Sequence, residues 1–292
     1  MNISKIDLAG RRILVTGGSR GLGRAMATAF VRHGASVVLT ATDQAALDEV
    51  LRECKAGPGS AVSLVADVTC QDDLNRICDT AQRKLGGVDV LVNNAGIAVT
   101  SLRRDFWQRP IRFWEVTMQD YRRFFEINTF SALQLACQLV PAMIEQGWGR
   151  IINITTSLDT MLRPGMAPYG ASKSALEALT AIMGGDLAGT GVTANVITPG
   201  GPADTRMVPG EMGLPREQLI PAEAMVPPAV WLASDLSDGV TSSRFLAAHW
   251  DPGLPLEQAI ENSRSPAAWM GYGTKAAIPG AVIMGAEVSN ER

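Results

Sequence analysis

Residues 16–23, Thr-Gly-Gly-Ser-Arg-Gly-Leu-Gly, follow a short apolar run and precede an amphipathic segment that extends to about His33. The glycines at Gly17, Gly21 and Gly23 allow the backbone to turn tightly and to approach a ligand closely. The free N–H groups at the start of the helix can then bind an anion such as a pyrophosphate. The stretch therefore predicts a strand, turn and helix that bind a dinucleotide.

The rest of the chain repeats this alternation of short β-branched runs and helix-length segments. Apolar runs such as Ile13-Leu-Val15 and Val90-Leu-Val92 are continuous, which is typical of strands buried on both faces. The predicted strands are 12–16, 36–42, 61–68, 88–93, 150–155 and 192–198. We predict an α/β fold, a single Rossmann-type domain with a doubly wound parallel sheet. It spans residues 1–255, and 256–292 form a C-terminal extension packed on the same domain or on a neighbouring subunit.

The composition narrows the class of partner. The 26 basic and 29 acidic residues contain no basic run, which argues against a nucleic-acid partner. The N-terminus lacks the apolar core of a signal peptide and no segment suits a membrane span, so we expect a soluble, cytoplasmic protein without a membrane partner. Four cysteines without a Cys-x-x-Cys pair, and only two histidines, argue against a metal site and a disulfide framework. A small-molecule ligand is expected.

Further short motifs follow the glycine turn. Asp67-Val68 ends the third predicted strand, and Asn93-Asn-Ala-Gly96 follows the fourth. Ligands bind at the carboxyl ends of strands in open α/β sheets, although 93–96 could also be an ordinary turn. Beyond them come Asn128 in a helix, then Tyr169 and Lys173, then Pro199-Gly200.

Together with the Gly-x3-Gly-x-Gly spacing of the turn, these motifs resemble the short-chain dehydrogenase/reductase family over roughly residues 8–250. The resemblance implies an enzyme that transfers a hydride between a nicotinamide cofactor and a carbonyl or alcohol carbon, and a homo-oligomer, either a tetramer or a dimer. It places Asp67 and Val68 at the adenine. Thr205 matches the nicotinamide contact, one residue farther along than usual. The candidate cofactor-binding residues are Gly17, Ser19, Arg20, Gly21, Leu22, Gly23, Thr42, Asp67, Val68, Asn93, Ala95, Gly96, Lys173, Pro199, Gly200 and Thr205.

The end of the second strand bears on which nicotinamide cofactor is bound. An acidic residue there would hydrogen-bond the ribose 2′-hydroxyl of NAD and repel the 2′-phosphate of NADP. The chain has Thr42 at this point and no acid before Asp43, and Arg20 in the glycine turn can donate to a phosphate. We predict a preference for NADP. NAD stays an alternative because Asp43 is only one residue away.

Tyr169 and Lys173 stand four residues apart at the start of the predicted helix 168–187, so they share a helical face. A nearby ammonium group favours phenolate and lowers the pKa of a tyrosine. Tyr169 is therefore the predicted general acid/base, which exchanges a proton with the substrate oxygen while the nicotinamide exchanges a hydride with carbon. The resemblance implies that Lys173 also binds the nicotinamide ribose and that Asn128 holds a water in a proton relay.

Three consecutive hydroxyls, Thr155, Thr156 and Ser157, precede the tyrosine. The family's third catalytic residue is a serine thirteen positions before the tyrosine, and Thr156 occupies that position here. A threonine hydroxyl can hydrogen-bond a substrate oxygen, but its methyl group restricts χ1 and takes space. We predict Thr156 as the orienting donor, keep Ser157 as an assisting alternative, and expect Thr155 to point to the other face of the strand.

Two regions are expected to surround the substrate. Residues 97–116 form an extended loop whose arginines could bind an acidic substrate, or which could be solvated with its aromatics packed. Residues 201–225 are predicted to be a substrate lid rich in adaptable methionines, or a permanently packed loop. Trp250, Trp269 and Tyr272 make the tail a candidate for docking on a neighbouring subunit. The arginines are Arg103, Arg104, Arg109 and Arg112, and the aromatics are Phe106, Trp107, Phe113 and Trp114.

The predicted function is an NAD(P)-dependent oxidoreductase that interconverts a secondary alcohol and a ketone, or reduces a 3-oxoacyl group. One alternative is an NAD-dependent sugar-acid dehydrogenase of the gluconate type. Another is a cofactor-binding redox regulator without catalysis. The intact set of Tyr169, Lys173 and Asn128 argues against the regulator.

Overall fold

A computed structural model describes residues 3–269. The strands are β1 Arg12–Thr16, β2 Ser36–Ala41, β3 Ser60–Val65, β4 Val90–Asn93, β5 Gly149–Ile154, β6 Val192–Thr198, β7 Ser243–Leu246 and β8 Arg264–Pro266. They form one sheet in the order β3-β2-β1-β4-β5-β6-β7-β8. The first seven are parallel, and β8 pairs with β7 in the antiparallel direction. The predicted Rossmann-type α/β fold is therefore confirmed.

The structure adds detail that the strand pattern lacked. β7 and β8 were not among the six predicted strands, because they are short and contain polar residues such as Ser243 and Arg244. β3 ends at Val65, three residues before the predicted boundary, so that Asp67 and Val68 lie in the loop that follows it. This loop is at the carboxyl edge of the sheet.

Helices cover both faces of the sheet. They are α1 Gly21–Arg32, α2 Gln44–Cys54, α3 Gln71–Leu85, α4 Met118–Phe125, α5 Ser131–Glu145, α6 Leu158–Leu162, α7 Tyr169–Asp186, α8 Val226–Leu232 and α9 Leu256–Ser263. Some of their ends carry standard caps. Thr117 and Asp120 form a capping box at the start of α4, and Gly86 ends α3 at a φ of 80°, in the left-handed region that suits glycine.

The apolar strand residues divide between two clusters, one on each face. Ile13 and Val15 of β1 pack with α1, α2 and α8, whereas Leu14 packs with α3 and α5 on the opposite face. Successive side chains of a strand point to opposite faces of the sheet. A continuously apolar run therefore places apolar side chains on both faces, where helices cover them. The strand order reverses between β1 and β4, which opens a crevice at the carboxyl ends of these strands.

One helical stretch resembles a membrane span by composition. Helices α4 and α5 join through a single π-helical turn, Glu126–Phe130, into 28 continuous residues whose most apolar window has a mean hydropathy of 1.3. Among residues 3–269 it is the only helix long and apolar enough to cross a membrane, and 44% of that window is buried within the protein. Leu135 of α5 belongs to the core. Core helices of globular domains share this composition.

The described part of the C-terminal extension lies on the same domain. Helix α9 contributes Ala259 to the core, and β8 extends the sheet. Trp250, which we expected to dock on a neighbouring subunit, is instead buried, with its ring centroid 5.9 Å from that of Trp231. That expectation is wrong for Trp250, because the short helical turn after β7 places it in the apolar cluster with Trp231 of α8. Trp269 is 40% exposed, and Tyr272 lies outside the described residues.

Candidate active site

The carboxyl ends of the parallel strands open into a cavity of about 1120 Å³. The glycine turn, the loop after β4, the end of β5, the start of α7 and the segment after β6 form its walls. A volume of this order accommodates a dinucleotide and a small substrate side by side. The predicted site residues that line it are Gly17, Ser19, Arg20, Gly21, Leu22, Thr42, Asp67, Val68, Ala95, Gly96, Thr156, Ser157, Tyr169, Lys173, Pro199, Gly200 and Thr205. Gly23, Asn93 and Asn128 do not line it.

The glycine turn has no room for side chains. Gly17 and Gly21 have φ values of 64° and 51°, which are left-handed conformations that favour glycine. A Cβ at Gly23 would lie 2.3 Å from the carbonyl oxygen of Gly17 and 2.4 Å from Asn94 Nδ2. Gly23 therefore acts behind the cavity wall, where it permits close packing of the turn instead of contacting a ligand.

The asparagine pair after β4 corrects one prediction. Asn93 was expected in the cleft, but it is buried in the sheet and its Nδ2 donates to Asn153 Oδ1 at 2.8 Å. Its neighbour Asn94, which we had not singled out, lines the cavity. Asn94 Nδ2 donates to the carbonyl oxygens of Thr16 and Gly17, both at 3.0 Å. Because neighbouring strand residues face opposite ways, only one of the two could face the ligand.

Helix α7 lies with one face against the end of β5. Tyr169, Lys173 and Glu177 follow one another at intervals of four residues along this face. Lys173 Nζ donates to the carbonyl oxygen of Ile154 at 2.8 Å. Tyr169 and Thr156 both line the cavity, with the Thr156 hydroxyl close enough to act on the pKa of the Tyr169 phenol. The tyrosine, the lysine and the threonine are thus brought together in one wall.

Burial dominates the electrostatics of this group. It raises the pKa of Tyr169, against the smaller opposing effect of the hydrogen bond to Thr156. Burial also lowers the pKa of Lys173 to about 8. The prediction that Lys173 lowers the pKa of Tyr169 is therefore wrong for this structure, since Lys173 Nζ is directed at Ile154 and its own charged form is disfavoured.

The three consecutive hydroxyls take different partners. Thr156 contacts Tyr169. Ser157 caps α6: its Oγ accepts from the Thr160 N–H at 3.2 Å and lies 2.7 Å from Thr160 Oγ1. Thr155 also lines the cavity, but its hydroxyl is engaged in the core, where Oγ1 donates to Glu177 Oε2 at 2.9 Å. Of the three hydroxyls, only that of Thr156 affects the pKa of the tyrosine.

Asn128 lies beneath the cavity at the π-helical turn. Its Oδ1 accepts from the Ile97 N–H at 2.8 Å, and its Nδ2 donates to Ser172 Oγ at 2.9 Å and to the Ile97 carbonyl at 3.1 Å. A Cβ at Gly96 would lie 3.1 Å from Asn128 Oδ1 and 3.4 Å from Lys173 Nζ. Asn128 is thus buried behind Gly96, close to Lys173.

The far end of the cavity, beside the second strand, is polar. Arg20 and Thr42 are exposed and line it. Among the described residues Arg20 forms no salt bridge. Asp43 does not line the cavity, and its Oδ1 caps α2 by accepting from the Ala46 N–H at 3.1 Å. The cation is available to a ligand, whereas the carboxylate is engaged elsewhere.

The loop 97–116 contributes apolar side chains to the cavity. Phe106, Trp107 and Pro110 line it, and the two aromatic rings pack edge to face with centroids 5.7 Å apart. The loop arginines Arg103, Arg104, Arg109 and Arg112 lie outside it. Three of them pair with carboxylates, in the pairs Arg103–Glu115, Arg104–Glu211 and Arg109–Asp105. The structure therefore gives these arginines no role in binding an acidic substrate.

Segment 201–225 closes the cavity on the opposite side. Met207, Val208 and Met212 line it. The segment is held by the Arg216–Asp204 pair at 2.8 Å and by a backbone bridge between Ala203 and Ile220. Arg123, Arg163 and Arg206 also line the cavity, and no motif in the sequence had marked them. Within residues 3–269 no group of histidine, cysteine or acidic side chains could hold a metal ion.

Comparison with known proteins gives the family. A family model described as short chain dehydrogenase matches residues 11–211. The Ketoacyl reductase HetN of Nostoc sp. is 34% identical over 200 residues, which cover 68% of this chain and 66% of that protein. A short-chain type dehydrogenase/reductase of Picea abies is 31% identical over 251 residues, which cover 80% and 90%.

The solved structures agree. A crystal structure from Beutenbergia cavernae, described as a candidate NAD(P)-dependent gluconate 5-dehydrogenase with NADP bound at low occupancy, superposes with a TM-score of 0.73 at 31% identity. It covers 85% of this chain and 98% of that one. The sheet order, the glycine turn and the matches to these proteins lead to one conclusion: the chain belongs to the short-chain dehydrogenase/reductase family.

Proposed function

We propose that this protein is an NADP-preferring oxidoreductase that interconverts a ketone and a secondary alcohol, with Tyr169 as general acid/base. The observation that carries the proposal is that Tyr169, Thr156 and Lys173 line the same cavity as the glycine turn. A proton donor and a dinucleotide cradle in one cavity suit hydride transfer.

The cradle fits a dinucleotide on steric grounds. A Cβ at Gly17 would lie 2.9 Å from the Cα of Ala95, so only glycine lets the turn pack against the loop after β4 and keep its backbone exposed to the cavity. The first N–H groups of α1 can bind the pyrophosphate. NADP, when bound here, supplies or accepts the hydride.

The protein's own groups handle the proton. The raised pKa of Tyr169 keeps the phenol protonated at neutral pH, which is the form that donates to a carbonyl oxygen during reduction. The Thr156 hydroxyl orients the same substrate oxygen. Lys173, with a pKa of about 8, can return the proton, and Asn128 behind it supports a relay toward solvent.

The preference for NADP rests on Arg20 and Thr42 in the cavity wall and on the engagement of Asp43 in a helix cap. The NADP bound in the Beutenbergia cavernae relative supports it. Replacing Arg20 with alanine should weaken NADPH binding about tenfold and leave NADH binding within about twofold. Equal losses for both cofactors would contradict the assignment.

The substrate side favours an apolar ketone. Phe106, Trp107 and Pro110, together with Met207 and Met212, would contact a hydrocarbon or aromatic substituent beside the carbonyl, as well as the chain of a 3-oxoacyl group. These apolar side chains offer no partner to the hydroxyls of a polyhydroxylated sugar acid, whereas Arg123, Arg163 and Arg206 of the same cavity could pair with its carboxylate. The gluconate alternative therefore predicts faster turnover of 5-ketogluconate than of apolar ketones, and a side-by-side assay decides it.

The main experiment compares Tyr169→Phe with the wild type. We expect the variant to bind NADPH normally, as followed by fluorescence, and to lose about 10²- to 10⁴-fold in kcat, because the proton donor is gone. Unchanged turnover in Tyr169→Phe would overturn the assignment. If both proteins bind NADPH and neither reduces any carbonyl in a broad panel, the regulator alternative is correct.

We also propose that the protein is a cytoplasmic homo-oligomer, a tetramer or a dimer. Large apolar side chains such as Trp114, Leu162 and Ile182 are 70%, 70% and 57% exposed, which is costly unless a partner covers them. A gel-filtration mass equal to one chain would refute the oligomer.

A further inference from the structure

A fully buried ion pair lies directly behind the catalytic strand. Glu177 of α7 and Arg244 of β7 are bonded to each other, and their side chains are 0% and 3% exposed. Removing two charges from water costs free energy that can equal or exceed the gain from their attraction. A protein with apolar residues of similar volume in their place is often as stable. The hydrogen bonds that the pair makes point to a different role.

Both members bond to the segment that carries the candidate hydroxyl. Glu177 Oε2 accepts from Thr155 Oγ1 at 2.9 Å. The Nη2 of Arg244 donates to the carbonyl oxygen of Thr156. The pair therefore binds both residues of this segment, Thr155 through its side chain and Thr156 through its backbone.

The C-terminal extension completes the arrangement. Ala268, at a φ of 55°, donates its backbone N–H to Glu177 Oε1 at 3.1 Å. Arg264 Nε donates to Ser243 Oγ at 3.0 Å, beside Arg244 on β7. The carboxylate of Glu177 thus accepts from three elements, namely the end of β5, β7 and the segment after β8.

We propose that Glu177 and Arg244 are positioning residues that aim the Thr156 hydroxyl at Tyr169. The proposal rests on the proposed function and adds the residues that hold its geometry. The methyl group of a threonine restricts χ1, so the direction of its hydroxyl follows the direction of the backbone. Arg244 fixes this backbone by its bond to the Thr156 carbonyl oxygen. Glu177 lies on the same helical face as Tyr169, so the pair also sets the distance between helix and strand.

The test replaces both charges by apolar side chains of similar length, in the double variant Glu177→Leu/Arg244→Met. We expect it to fold and to bind NADPH with a Kd within about twofold of the wild type, because the cradle is untouched. We expect kcat to fall about 10- to 100-fold with little change in KM, because a displaced catalytic group costs rate and not binding. The limb of the pH profile that reports Tyr169 should move to higher pH, because the hydrogen bond from Thr156 lowers the pKa of Tyr169.

A second buried arginine, on the strand that leads to Thr155 and Thr156, provides the control. Arg150 lies at the amino end of β5, is 1% exposed and pairs with Asp238. Arg150→Met should lower the melting temperature while leaving kcat and the pH profile unchanged, since that end of the strand is remote from the cavity. A loss of kcat in Arg150→Met as large as in the double variant would reduce the effect to general destabilisation and overturn the proposal.

The outcomes separate this inference from the proposed function. A double variant with wild-type kcat and pH profile overturns the positioning role, whereas loss of turnover in Tyr169→Phe still upholds the proposed function. If the double variant does not fold, Glu177→Gln, which keeps the shape but not the charge, takes its place. Wild-type kcat in Glu177→Gln would then overturn the role, and a selective fall in kcat with NADPH affinity retained would support it.

Discussion

Replacing Lys173 with methionine should abolish activity and change how stability depends on pH. Lys173 is 5% exposed, and burial lowers its pKa from an ordinary 10.5 to about 8. At about 1.4 kcal/mol per pKa unit, this difference means that holding the charged lysine in the fold at neutral pH costs roughly 3 kcal/mol.

The pH dependence follows from proton binding. Between pH 8 and 10.5 the unfolded chain keeps the lysine proton while the folded chain has lost it, so the wild type gains stability as pH rises through this window. Methionine binds no proton, so the variant lacks that gain. The free energy of unfolding of the variant minus that of the wild type should be largest below pH 8 and fall by roughly 2–3 kcal/mol by pH 10. The lost hydrogen bond to Ile154 lowers this difference by a nearly constant ~1–2 kcal/mol at every pH, because a neutral lysine amine still donates to the carbonyl oxygen.

The assay is urea unfolding followed by tryptophan fluorescence at pH 7, 8, 9 and 10, at one protein concentration. Lys84→Met is the control, because Lys84 is exposed on α3 and its loss should leave a difference that does not vary with pH. A difference between Lys173→Met and wild type that stays flat from pH 7 to pH 10 would refute the buried, weakly basic lysine.

Three further predictions concern the cavity walls. Thr156→Val should lower kcat about 10²-fold in steady-state assays, whereas Ser157→Ala should keep kcat within about threefold. Ser157→Ala should lose only the helix cap, which lowers the free energy of unfolding in urea by about 1 kcal/mol. The reverse order of kcat values would make Ser157 the donor. Gly23→Ala should raise the NADPH Kd at least about tenfold in a fluorescence titration, because the added Cβ would lie 2.3 Å from the Gly17 carbonyl oxygen. An unchanged Kd would mean that the turn can relax to make room. Asp43→Ala should lower the free energy of unfolding by about 1 kcal/mol and leave the ratio of NADPH to NADH affinity within about twofold; a marked shift toward NADPH would show that this carboxylate reads the ribose.

Hydrogen bonds to three buried side chains also explain why the site is held in one conformation before any ligand binds. Lys173 is held by Ile154, Asn128 by Ile97, and Glu177 by three donors. These partners come from the end of β5, the loop after β4, β7 and the segment after β8. A site supported in this way loses little conformational entropy when substrate binds, and its groups are already close to their working geometry.

Much of the molecule was determined by the sequence alone. The continuous apolar runs of β1 and β4 predict strands covered on both faces, and the glycines between β1 and α1 predict the phosphate turn, because such preferences act over a few neighbouring residues. The interval of four between Tyr169 and Lys173 likewise places both on one face of α7. These features need no knowledge of distant contacts.

The tertiary structure decided what depends on partners far apart in the chain. Thr156 differs from Thr155 and Ser157 only because Tyr169, Glu177 and Thr160 stand where they do. The arginines of the loop 97–116 are paired outside the cavity, Asn94 replaces Asn93 in its wall, and Trp250 turns into the core. Burial and charge pairing are properties of the assembled fold, and the pKa values of Tyr169 and Lys173 follow from them.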